Sequence, residues 1–137
     1  MKNRDLARDY IERSGHRLAA VELLFERKGY ADVVRESQEL VELCLKGLLR
    51  IARVEVPRIH DVGALLVDAK GRLPAAVKPH VDALARISKE MRRDRELAFY
   101  GSEDLTPSDF YQVEDAKKAL DDARWVHSIC HTALGEK

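Results

Sequence analysis

Hydrophobic positions recur along this chain at steps of three and four, the spacing of helices with one apolar face. From Asp5 to about Lys28 the series is Leu6, Tyr10, Ile11, Leu18, Val21, Leu24 and Phe25, and Gly29 ends it. Tyr30 to Ala52 carries the strongest series, Val33, Val34, Ser37, Leu40, Val41, Cys44, Leu45, Leu48 and Leu49, which predicts the most buried helix. Val54 to Ile59 lacks the period and contains Pro57, so it reads as a loop. Asp61 is placed to cap a short helix over 62–70, stopped by Gly71 and Pro74. A fourth helix starts near Pro79, runs through Val81, Leu84, Ile87 and Met91 to about Leu97, and is broken by Phe99-Tyr100-Gly101. Thr106-Pro107-Ser108-Asp109 joins a capping residue to a proline at the first helical position and predicts a last helix continuing to about Ala133.

No stretch reads convincingly as a strand and no segment repeats. The expected architecture is therefore all-α: an up-and-down helical bundle of four long helices plus one short helix, a single domain over residues 1–137. That length buries a core without disulfides or metals to brace it. Cys44 and Cys130 both fall in apolar series and read as two buried thiols. The amino-terminal Met-Lys-Asn-Arg-Asp-Leu has no apolar core of a signal peptide, and no window is apolar enough to span a membrane. The expectation is a soluble, cytoplasmic protein.

Lys and Arg number 24 and Asp and Glu 24, so no overall field draws the chain to nucleic acid. The distribution is uneven. Arg86, Lys89, Arg92, Arg93 and Arg95 form a basic row, whereas Glu96 to Asp122 is predominantly acidic. Arg92 and Arg95 are candidate phosphate ligands, and Tyr100 could stack on a base. On the last helix Ala116, Leu120, Ala123, His127, Cys130 and Leu134 share the expected buried direction, with Arg124 and His131 at its edge. Seven residues apart, Arg124 and His131 emerge nearly on one line. His127, Cys130 and His131 have helical spacing for a metal, but no second ligand pair accompanies them, so neither a metal nor another cofactor is expected. Trp125 and Ile129 point away from the buried direction, as residues of a partner interface do, or of a contact with the Phe99-Tyr100 loop.

The Gly29-Tyr30 break, the Lys46-Gly47-Leu48-Leu49 run, Pro57-x-x-His60-Asp61 and Arg95-x-x-Ala98-x-Tyr100-Gly101, in this order, resemble the HEPN domains of bacteria and archaea over about Leu6 to Leu134. They resemble most the branch associated with minimal nucleotidyltransferases. The resemblance implies a homodimer that binds a nucleotide or RNA beside a separately encoded minimal nucleotidyltransferase, with His60 and Asp61 among the ligand-contacting residues. Catalytic HEPN domains carry Arg, four to six residues, then His, facing a second copy to cleave RNA without a metal. Arg124 and His131 satisfy that spacing. Histidine would move the 2′-hydroxyl or leaving-group proton, and arginine would stabilise the phosphorane. Trp125 departs from the pattern, because active members usually have a polar residue directly after the Arg. The alternatives are a metal-independent endoribonuclease toxin of a toxin-antitoxin pair, and a purely structural dimerisation module.

Overall fold

The computed structural model describes residues 2–56, 62–100 and 106–135. Its helices are α1 (Lys2–Glu26), α2 (Tyr30–Ile51), α3 (Val62–Asp68), α4 (Val81–Tyr100), α5 (Pro107–Phe110) and α6 (Val113–Leu134), with single 3-10 turns at Lys70–Arg72 and Lys78–His80. Among the described residues there is no strand. Contacts along the long helices show the expected up-and-down course. Arg4 reaches the Leu134 carbonyl and Glu22 reaches Arg124, so α1 and α6 are antiparallel. His80 meets Trp125 and Glu90 meets Lys118, so α4 and α6 are antiparallel as well.

The centre of the bundle is α2, which packs on α1, α4 and α6. Twelve of its residues are buried, from Ala31 to Leu49. At 100° per residue they cover roughly 200° of the helix circumference, more than one neighbour can shield. Three helices therefore share the task, and among the described residues α1 and α4, on opposite flanks of α2, make no extensive contact with one another.

The α1–α2 contact depends on small groups. A Cβ on Gly47 would lie 2.9 Å from Ile11 Cγ1 and 3.1 Å from its Cδ1, and Ile11 is fully buried. Nearby, Cys44 donates through its thiol to Ser14 Oγ at 3.0 Å, and Ser14 donates to the Ile11 carbonyl at 2.6 Å. Cys130 of α6 points its thiol at the Cys44 carbonyl, 3.7 Å away. Both cysteines are free and buried, as the apolar series predicts, and burial drives the Cys130 thiol well above its usual range.

Several boundaries differ from the pattern-based expectation. α1 stops at Glu26, and the left-handed residue is Lys28 (φ 64°) rather than Gly29. Lys28 N–H bonds to Phe25 O and Gly29 N–H to Leu24 O, the paired bonds of a Schellman close. Arg53 (φ 60°) closes α2 in the same way, with Val54 N–H on Leu49 O. α3 ends at Asp68, so Gly71 falls within a 3-10 turn, and α4 runs through Tyr100 instead of stopping near Leu97. The helix expected from Thr106 is divided. Thr106 caps one turn, α5, after which Tyr111 and Gln112 are extended and Gln112 opens α6 through a reciprocal capping box with Asp115. The break carries Tyr111 into the core, where it is 5% exposed.

Two consequences are measurable. Gly47→Ala adds an overpacking cost of about 1–3 kcal/mol against a helix-propensity gain of up to about 1 kcal/mol, so urea denaturation should show a net loss of stability. Lys28→Gly relieves a left-handed strain of roughly 1–2 kcal/mol while adding less than about 1 kcal/mol of chain entropy to the unfolded state, so the same measurement should show a net gain.

Candidate functional site

The seam between α1 and α6 brings together most of the polar residues singled out on the last helix. Arg124 projects over α1, where its Nη2 lies 3.1 Å from Glu22 Oε2, and its Nη1 lies 3.5 Å from Asp121 Oδ1. All three side chains are about half exposed, so each pair contributes only about 0–1 kcal/mol. About 10 Å further along α6, His131 is exposed at an open groove of about 390 Å³ lined by Glu12, Gly15, His16, His127 and His131.

His127 sits in this groove and not in the core where its helical direction places it. The buried side of α6 is instead Ala116, Ala119, Leu120, Ala123, Val126, Cys130, Ala133 and Leu134. His127 is displaced to the boundary because α1 presents Gly15 there: a Cβ at Gly15 would come within 3.1 Å of His127 Nε2. Its ring hydrogen-bonds the Ile11 backbone and lies 6.0 Å, centroid to centroid, from His131. Burial, with His131 as a lesser contributor, pushes the His127 imidazole below its usual range despite the Ile11 bond. Among the described residues no three His, Cys, Asp or Glu side chains are arranged to hold a metal ion.

Trp125 and Ile129 are half-buried and pack against the core. Trp125 meets His80, the last residue of the 3-10 turn before α4, edge to face at 5.4 Å. His60 and Asp61 lie outside the described residues, as do the side chains of Arg95 and Tyr100, although α4 includes both latter positions.

A second polar site occupies the outer face of α2, which α1 and α4 leave uncovered. Arg17 of α1 and Glu39, Glu42, Leu43 and Lys46 of α2 line a groove of about 290 Å³. Glu42 accepts from Gln38 Nε2 at 3.0 Å and from Lys46 Nζ at 3.2 Å. Burial works against its ionisation, but Gln38, Lys46 and Arg92 together outweigh it and hold the carboxyl below the usual range. Arg92 is thus the one expected ligand residue with a described side chain whose charge is felt at this groove, although it does not line it. Gln38 is 3% exposed and its Oε1 has no partner, an unmet acceptor that costs about 1–3 kcal/mol. The group Gln38, Glu42 and Lys46 escaped the sequence reading because their four-residue spacing was absorbed by the apolar series beside it. Polar residues at that spacing on the most apolar helix were the available signal.

A histidine held below its usual range disfavours protonation in the folded state, so stability is retained above the unfolded value near 6.5 and falls as pH drops through it. Urea midpoints followed from neutral pH to about pH 5 should therefore decline, and His127→Gln should flatten that slope.

No curated protein and no solved structure matches this chain. The HEPN domain family matches residues 7–133, which takes in most or all of every long helix and both grooves. The protein belongs to the HEPN domain family.

Proposed function

We propose that this HEPN protein is a dimeric nucleotide- or RNA-binding module that works with a separately encoded minimal nucleotidyltransferase. The observation that carries the non-catalytic part of this reading is the setting of Arg124. Two carboxylates, Glu22 and Asp121, the latter shared with Lys117, flank the guanidinium, so its charge is already compensated where a scissile phosphate would have to rest. Trp125 stands next to it where catalytic HEPN domains usually carry a polar group. Elsewhere the surface suits phosphate better: Arg86, Lys89, Arg92 and Arg93 are exposed on α4. Trp125 and Ile129, half-buried in one chain, are the residues proposed to finish their burial against a second copy.

A metal-independent endoribonuclease toxin is the second reading, favoured by one feature: His131 is exposed beside His127 on the same seam as Arg124. The Arg124 ion pairs are exposed and weak enough for a phosphate to displace.

Incubation with cellular RNA separates the two. The binding module leaves RNA intact, and Arg124→Ala and His131→Ala change neither RNA integrity nor growth on expression. RNA cleavage, or growth arrest, that disappears in both variants would establish the nuclease and remove the module reading.

A further inference from the structure

We propose that His127 and His131 form a chelating site for a divalent transition-metal ion of the zinc or nickel class, in the groove between α1 and α6. This inference goes beyond the nucleotide- or RNA-binding reading and does not depend on it.

Spacing is the first argument. Among the five histidines of the chain these two alone stand four residues apart, so both rings leave the same side of α6. Their centroids are 6.0 Å apart and the rings are tilted by 36°. Two imidazoles bonded to one ion at about 2.0–2.1 Å stand roughly 5 Å apart, centroid to centroid. His131 is exposed, so rotation of its side chain closes that difference.

The second argument is how His127 is held. Its ring hydrogen-bonds the Ile11 backbone, and because the Ile11 N–H is spent inside α1, one ring nitrogen donates to the Ile11 carbonyl. Metal-binding imidazoles are held in this way: the carbonyl fixes the tautomer, and the other nitrogen keeps its lone pair for the ion. Gly15 makes the seat possible, since a Cβ there would come within 3.1 Å of His127 Nε2.

The groove sets the coordination. Cys130, between the two histidines in sequence, is buried and turns its thiol to the Cys44 carbonyl, so the His-x-x-Cys-His run furnishes two ligands and not three. Among the described residues no third side chain is arranged to complete the sphere, so water takes the remaining positions. Glu12 and His16 line the same open groove of about 390 Å³ and are available to hydrogen-bond such waters. Two imidazoles favour Zn²⁺, Ni²⁺ or Cu²⁺ over Mg²⁺ or Ca²⁺. A bound ion takes the His131 lone pair, and so competes with the proton transfer that the nuclease reading asks of this side chain.

Calorimetric titration of the untagged whole chain with zinc, nickel and magnesium chlorides tests the site. Zn²⁺ and Ni²⁺ are expected to bind one ion per chain, to raise the melting temperature, and to shift the ring-proton NMR signals of His127 and His131 but not of His80, whereas Mg²⁺ does none of these. His131→Ala, at an exposed position, should weaken Zn²⁺ binding at least about tenfold, and His127→Gln should do the same, with melts confirming that each variant is folded. His80→Gln should leave the affinity as it was. Zn²⁺ binding that is unchanged in His131→Ala, or that appears only above about 1 mM, would mean an adventitious ion only and would overturn the site. No nucleotide or RNA enters these measurements, so their failure leaves the module reading in place.

Discussion

Everything in this fold depends on how much of α2 must be kept from water. Roughly 200° of its circumference is apolar or small, and at about 25 cal/mol per Å² of apolar surface no single neighbour could shield enough of it. α1, α6 and α4 divide that arc, and the close seat of α1 is possible because Gly47 has no side chain where Ile11 enters. The Ser14–Cys44–Cys130 chain of hydrogen bonds lies at the junction of α1, α2 and α6 and satisfies polar groups that such close packing traps.

Both polar grooves are by-products of that arrangement. Because α1 and α4 flank α2 without extensive contact among the described residues, the remaining arc of α2 becomes the floor of a channel, and Glu39, Glu42, Leu43 and Lys46 are what the helix has to show there. On the other flank, Gly15 lets α6 approach α1 closely enough that His127 is squeezed to the seam beside His131. In each case a glycine or a missing contact, rather than a dedicated loop, creates the recess.

The two grooves differ in electrostatics, and that difference decides which chemistry each can do. At the α1–α6 seam the arginine is balanced by carboxylates from two helices, and the nearby imidazole of His127 is held neutral by burial. Over α2 the two carboxylates, Glu39 and Glu42, match two cations, Arg17 and Lys46, and Glu42 is held below the usual range by surrounding donors and cations. Neither groove carries an excess of positive charge, and the first holds the residues with acid–base capacity.

Much of this was legible in the order of residues. The apolar period at steps of three and four located the four long helices and identified α2 as the most buried, and the Lys46-Gly47-Leu48-Leu49 run and its companions pointed to the HEPN family. Those features are local: periodicity and punctuation act within a few residues of where they are written. What escaped was decided by packing. Gln112 is an unusual helix cap and hid the division of the last helix, which exists because Tyr111 has to reach the core. His127 lies in an apolar direction yet ends at a groove because its neighbour across the seam is Gly15. Arg124 kept its spacing from His131 but acquired Glu22, a partner 102 positions away. Helical period thus determined which residues share a face, and only the tertiary structure decided what that face meets, because burial and charge pairing depend on the element opposite, about which local spacing carries no information.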